Sequence, residues 1–301
     1  MSETTPDYLI LGANGQVGRE LERALQPFGR GAALGRRECD LSEPGAVAAA
    51  VARYAPAVVV NAAAYTAVDR AESEPALARR INAEAVAELA TACAERAIPL
   101  VHYSTDYVFA GEGETPYRPE DATAPRSVYG QTKREGEDAI AAAGARALVL
   151  RTSWVYAAHG HNFVRTMLRL AAERDQLRVI DDQVGAPTWA ATIADVTALA
   201  LHAWRRENWS PAMAGTHHLT AAGATSWHGF AEAIFEEAVA LGLLEADRRP
   251  SVEAIASREY PQPAPRPGNS RLDTTSLRET FGVALPPWQD ALRSCLRALM
   301  P

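Results

Sequence analysis

Apolar and polar positions follow two periods along the first half of the chain, and the two alternate. Short continuous apolar runs at Tyr8–Leu11, 57–60, 98–103 and 147–150 have the length and composition of strands buried on both faces. A weaker run at 32–34 predicts one more strand. Between the runs stand stretches with helical spacing. These are 16–25 (Val17, Leu21 and Leu25 on one stripe), 44–54 with a proline at its start, 75–96 and 128–143. Strand–helix alternation with near-continuous apolar strands predicts a parallel sheet covered by helices on both sides, a doubly wound α/β fold.

Beyond about Arg151 the regularity fades. Helices are predicted at 163–173, 191–206, Trp227–Ala240 and 288–299, strands at 177–180 and 216–219, and a proline-rich loop at 261–267. The expected division is a dinucleotide-binding domain over 1–152, joined by later sheet elements from about 177–220. A smaller mixed α/β substrate-binding lobe takes 153–176 and 221–301.

Composition narrows the function without naming it. The chain has 301 residues, 48% hydrophobic and 22% charged, which suffices for a full core. A net charge of −7 argues against a broad nucleic-acid-binding face. Cys39, Cys93 and Cys295 form neither a CxxC pair nor a zinc spacing, as fits a reducing cytoplasm. The first residues lack the pattern of a secretion signal, and no apolar run approaches a membrane span. The expectation is a cytoplasmic protein with no nucleic-acid or membrane partner.

The first strand runs into Gly12-Ala13-Asn14-Gly15-Gln16-Val17-Gly18, which opens the first helix. Glycines at this turn allow close approach of a pyrophosphate to the positive helix N-terminus, so the sheet is expected to be of Rossmann type. The second strand ends in Arg36 and Arg37, with no carboxylate to hold a ribose 2′-hydroxyl. Two guanidiniums suit a 2′-phosphate, which favours NADPH with NADH as a second donor. Asp40 and Leu41 are expected near the adenine, the aspartate on its exocyclic amine. Ala64, Tyr65 and Thr66 run off the third strand along the cofactor.

Of 30 cationic residues, one is a lysine, Lys133, four residues after Tyr129. A compact ammonium does work that a broad guanidinium cannot. On a helix, residues four apart share a face with Cβ atoms roughly 6 Å apart. At about that separation and an effective dielectric of about 20, the charges attract by roughly 3 kcal/mol, or about two pKa units. A hydride delivered to a carbonyl carbon leaves an alkoxide that needs a proton. A tyrosine, with a reference pKa of about 10, needs such a neighbour to serve near neutrality. Thr105, at the carboxyl end of the 98–103 strand, is placed to bond the substrate carbonyl or the Tyr129 hydroxyl. Tyr129, Lys133 and Thr105 are the expected catalytic set. His102, His217 and His218 read as structural.

Together these segments resemble the extended short-chain dehydrogenase/reductases, and among them the dTDP-4-dehydrorhamnose reductase family. The carrying segments are 12–18, 61–69, 104–109, 129–133, Arg151-Thr152-Ser153-Trp154-Val155-Tyr156 and Arg266-Pro267-Gly268-Asn269-Ser270, which span nearly the whole chain. The resemblance implies NAD(P)H-dependent reduction of the 4-keto group of dTDP-4-dehydro-L-rhamnose to dTDP-L-rhamnose. It implies Tyr129 as proton donor, Lys133 as the cofactor-binding residue that tunes it, and Thr105 as partner of the tyrosine. It places Asp106 and Trp154 on the sugar nucleotide. Arg266 and Arg271, around a rigid loop whose donors include Ser270, are expected at the nucleotide. Related 4,6-dehydratases carry Thr-Asp-Glu at this strand end. Here the triplet is Thr105-Asp106-Tyr107, and the missing glutamate favours simple reduction.

Some members of this family bridge a dimer through magnesium. Glu20 matches one ligand position, but Ala191 and Gln289 occupy the others, so Mg2+ stays open and a monomer or weak homodimer is expected. Two further readings share these residues. One is another nucleotide-deoxysugar 4-ketoreductase, of streptose or antibiotic-sugar type. The other is a non-catalytic relative of the regulatory subunits of methionine adenosyltransferase, against which the intact Thr105, Tyr129 and Lys133 set speaks.

Overall fold

The computed structural model describes residues 5–300. Its central sheet has six parallel strands: β1 (Tyr8–Leu11), β2 (Gly31–Leu34), β3 (Val59–Asn61), β4 (Leu100–Thr105), β5 (Ala147–Thr152) and β6 (Gly215–His218). They lie in the order β2-β1-β3-β4-β5-β6. This is the expected doubly wound α/β architecture. The order reverses between β1 and β3, and in such sheets the crevice outside the carboxyl ends at that point receives the ligand.

Alternate strand residues enter two apolar layers, because successive side chains leave a strand on opposite faces. Leu9, Leu11, Val59, Leu100 and Val149 pack with α2 (Ala46–Tyr54) and α3 (Ala85–Glu95). Ile10, Val60, Val101, Leu148 and Leu150 pack with α1 (Gln16–Ala24) and α5 (Ala190–Arg206). Between them in sequence, α4 (Val128–Ala142) lies on the first of these layers through Ile140.

Two sequence expectations need correction. The 75–96 stretch is not one continuous helix. It runs as Pro75–Arg79, a π turn at Arg80–Glu84, and then α3. The turn frees the buried side chain of Asn82, which accepts from the Tyr65 amide at 2.9 Å and donates to the Tyr65 carbonyl at 3.1 Å and Thr132 Oγ1 at 3.2 Å. A one-residue slip of this kind leaves the apolar stripe intact, so periodicity does not reveal it, and such π turns recur at functional sites. The 177–180 strand does not join the central sheet. Gln176–Ile180 pairs instead with Ser251–Ile255, both in the second lobe. That lobe packs the helices Phe163–Ala171, Trp227–Ala240 and Trp288–Arg297 around Val164, Met167, Phe230, Phe235 and Leu292. Among the described residues, no helix is long and apolar enough to cross a membrane.

Candidate active site

The first turn of α4 is fixed by Ser127, whose hydroxyl accepts from the Gly130 N–H at 3.1 Å. That turn carries Tyr129, and the next carries Lys133. Tyr129 is half-buried. Burial pushes the phenol up to about 12, with Asp106 adding to the rise and the Thr105 hydroxyl opposing it. Lys133 is 2% exposed. Its Nζ donates to the Tyr103 carbonyl at 2.6 Å and meets His102 Nε2 at 3.2 Å, and among the described residues these are its hydrogen-bond partners. Burial pulls the ammonium down to about 8, against Glu137. A phenol already eased by Lys133, as the helical spacing suggested, is therefore not what the structure shows. Nζ is engaged elsewhere.

Thr105 is buried at the end of β4, donating to Asp106 Oδ1 at 3.0 Å and accepting from the Tyr107 N–H at 3.2 Å. Burial raises the Asp106 carboxyl to about 6. The buried Ser270 hydroxyl lies beside it and pulls that carboxyl back down as a hydrogen-bond donor. Buried polar atoms are nearly always bonded, and these two lie side by side at the end of β4.

On the cofactor side, Gly15 caps α1 without any side chain closing the helix amides, so the N-terminus is open to an anion. Gly12 has φ +85°, and a Cβ there would fall 2.6 Å from the Ala63 nitrogen. At Gly18 a Cβ would fall 2.0 Å from the Gly12 carbonyl oxygen. These two positions need glycine for the turn itself. Val17 turns into the core. Gln16 Oε1 accepts from Asn162 Nδ2 at 2.9 Å, tying the loop to the second lobe.

Arg37 is exposed and, among the described residues, forms no ion pair, whereas Arg36 donates to Asp40 Oδ2 at 3.0 Å. Asp40 also accepts from the Ser42 amide and hydroxyl, which together with Arg36 hold its carboxyl down to about 2. Oδ2 takes one of these bonds and Oδ1 two, so the partly exposed carboxylate keeps acceptor capacity on Oδ2. Leu41 is buried. Ala64, Tyr65 and Thr66 leave β3 together. Asn82 clamps the Tyr65 backbone, and the Tyr65 hydroxyl donates to Glu74 at 2.6 Å.

On the substrate side, Trp154 has φ +48°, a backbone state costing a non-glycine residue about 1–3 kcal/mol. Its indole stacks on Trp227, with ring centroids 3.6 Å apart and planes 9° from parallel. Its edge rests on Gly185, where a Cβ would fall 2.7 Å from Trp154 Cε2. Arg266 is paired with Asp69 at 2.8 Å, and Arg271 Nε donates to Asn269 Oδ1 at 2.8 Å. Arg266 thus ties its loop to the helix Val68–Ser73, whereas Arg271 clasps its own loop. Glu20 pairs with Arg23 and faces His159. Among the described residues, no three His, Cys, Asp or Glu side chains are grouped to hold a metal ion.

Sequence reasoning missed Asn82, Trp227, Gly185 and the buried Glu137–Arg151 pair, and it passed over His102. Glu137 lies four residues past Lys133 on the same helical face, a signal that was available. For the others, only folding brings the partners together.

A nucleotide crevice that shares its floor with a tyrosine and a lysine on one helix defines an extended short-chain dehydrogenase/reductase. Within that class, the chain matches the RmlD substrate binding domain family over residues 7–300, and it belongs to that family. It is 48% identical to the dTDP-4-dehydrorhamnose reductase of Shigella flexneri, over 97% of this chain and 98% of the relative. It is 44% identical to that of Streptomyces griseus, over 98% and 94%. Among solved structures, the dTDP-4-dehydrorhamnose reductase of Bacillus anthracis, in complex with NADP, superposes with a TM-score of 0.87 at 32% identity, covering 97% of this chain and 98% of that one. A similar reductase from Clostridium acetobutylicum gives 0.87 at 35% identity, over 97% and 99%.

Proposed function

We propose that this chain reduces the 4-keto group of dTDP-4-dehydro-L-rhamnose to dTDP-L-rhamnose with NADPH, NADH serving as a second donor. The observation that carries the reading is Tyr129 on the first turn of α4, with the Thr105 hydroxyl easing its phenol and Lys133 one helical turn further on, beside a sheet whose first helix opens with an uncapped N-terminus. The names of the relatives supply the substrate, and the NADP complex supports the cofactor.

NADPH supplies the hydride. Gly12, Gly15, Gln16, Val17 and Gly18 form the phosphate turn, Arg37 meets the 2′-phosphate, and Ala64, Tyr65 and Thr66 line the far wall. Tyr129 gives its phenolic proton to the oxygen that becomes the C4 hydroxyl, and Thr105 orients that phenol. Lys133 binds the nicotinamide ribose and eases the phenolate left behind. Asp106 and Ser270 hold sugar hydroxyls, and Trp154 walls the sugar. Arg266 and Arg271 border the nucleotide end. In this reading the chain works in the cytoplasm as a monomer or weak homodimer.

The test is an assay with enzymatically prepared 4-keto-deoxysugar nucleotide, following NADPH absorbance and identifying the product by NMR. Stoichiometric NADPH consumption with formation of dTDP-L-rhamnose is expected. No consumption, or a product epimeric at C4, overturns the assignment.

A further inference from the structure

His102 lies wholly inside the protein on β4, directly opposite Asn61 of β3 in the parallel register. Asn61 Oδ1 accepts from the Ala63 N–H at 3.1 Å. That bond fixes the amide, so Asn61 Nδ2 faces His102 Nδ1 at 3.1 Å and donates to it. A neutral imidazole carries one N–H, so with Nδ1 accepting, the proton sits on Nε2. Nε2 in turn faces Lys133 Nζ at 3.2 Å. An ammonium has three donors and no acceptor and cannot receive that proton, whereas an uncharged amine can. An imidazolium is no escape. Its second proton would meet the Asn61 donor, and burial beside Lys133 holds the ring well below its ordinary pKa.

We propose that His102 is a positioning residue for Lys133: pinned by Asn61 with its proton on Nε2, it donates to the uncharged amine of that lysine against the Tyr103 carbonyl, favouring the amine over the ammonium, and lets go when the lysine takes a proton. The inference rests on the reading of Lys133 as the residue serving Tyr129 and the ribose. It adds that the charge of this lysine is biased by a hydrogen-bond wire that begins at Ala63. Ala63, whose amide starts the wire, is the residue against which Gly12 packs.

The other charges around Nζ do not supply the same control. Glu137, one turn further along α4, favours the ammonium, but it is committed to Arg151 and Arg134. The Tyr103 phenol on β4 is bonded to Thr197 Oγ1 at 2.7 Å, within the layer formed with α5. In the π turn packed on α4, Arg80 pairs with Glu84 and Glu88. Tyr129, on the same helix, remains protonated through the neutral range.

Because the chain has one lysine, full-length protein labelled with ε-13C-lysine gives one side-chain signal, and its pH titration reads Lys133 directly. For the cofactor-free protein a midpoint of about 8 is expected. His102→Gln offers a carbonyl that accepts from the ammonium, so it should raise that midpoint by about one unit. An unchanged or lowered midpoint in folded His102→Gln overturns the proposal. Should that variant not fold, the 15N spectrum of the parent decides. A bare Nδ1 with the proton on Nε2 supports the proposal, and a proton on Nδ1 overturns it. Neither measurement uses turnover, so failure here and failure of the reductase reading are separable.

Discussion

Glu137 receives both arms of the Arg151 guanidinium, from Nε at 2.9 Å and Nη2 at 2.7 Å, one helical turn beyond Lys133. The side chains are 3% and 2% exposed. Arg151 also donates to the Pro119 carbonyl at 3.1 Å and lies 4.9 Å over the Phe109 ring. The pair bolts α4, and with it Tyr129 and Lys133, to β5. Removing one partner of a buried pair strands the other charge, so Glu137→Gln should cost about 3–5 kcal/mol, read from urea unfolding. Replacing both, as Glu137→Leu with Arg151→Met, should cost far less.

The same pair sets a pH dependence. Burial works to raise the Glu137 carboxyl, but the bonds and charge of Arg151 outweigh it, and the net shift is downward. A depressed folded-state pKa contributes stability above the unfolded value of about 4.3, and that stability is lost as pH falls through the folded value. Unfolding midpoints taken from pH 7 down to pH 3 should therefore drop more steeply in the parent than in Glu137→Gln. Equal slopes would remove Glu137 from the account.

Tyr129→Phe deletes the proton source and leaves the glycine turn untouched. Turnover should fall about 10²–10⁴-fold, while NADPH binding, followed by fluorescence titration, stays near that of the parent. Lys133→Arg should also turn over poorly, because a planar guanidinium does not fit between the Tyr103 carbonyl and His102. Parental rates in either variant would refute these roles.

The sheet was legible because its strands are buried on both faces and read as continuous apolar runs, as at Tyr8–Leu11 and in β5. The turn at Gly12–Gly18 and the Tyr129–Lys133 pair were legible because their spacing is local. What the sequence hid is non-local or conformational. The π turn at Asn82 leaves the apolar stripe unbroken, and the Trp154–Trp227 stack joins rings 73 positions apart (227 − 154). The partner of Lys133 is a histidine that looks like any core residue on a strand. Charge pairing was also invisible: Arg36, Arg37 and Asp40 looked alike as free groups, and only folding shows that Arg36 and Asp40 satisfy each other.

That distinction separates two adjacent arginines. Arg37 is unpaired among the described residues, so Arg37→Ala should remove most of the preference for NADPH over NADH. A charge-assisted phosphate contact of about 1.5–3 kcal/mol corresponds to roughly a 10- to 100-fold fall in the ratio of kcat/KM values. Arg36→Ala breaks an exposed pair worth little and should change that ratio far less. The reverse order, or no change in either variant, would place the 2′-phosphate elsewhere.

Asp106 gives the substrate side its own signature. Its carboxyl is raised to about 6 by burial, so it carries charge at pH 7.5 and loses it as the solution is acidified through pH 6. In the charged form it only accepts hydrogen bonds, and a carboxylate that already takes Ser270 and Thr105 has acceptor capacity left for a sugar hydroxyl. Once protonated, the carboxyl presents a donor of its own, and that bond weakens. The value of kcat/KM for the sugar nucleotide should therefore fall below a midpoint of about 6, while NADPH affinity holds steady over the same range. Asp106→Asn keeps the shape of the side chain but removes its titration, so the acid limb should vanish and leave a lower plateau. If that limb persists unchanged in Asp106→Asn, another group titrates and the hydroxyl contact is not made by Asp106.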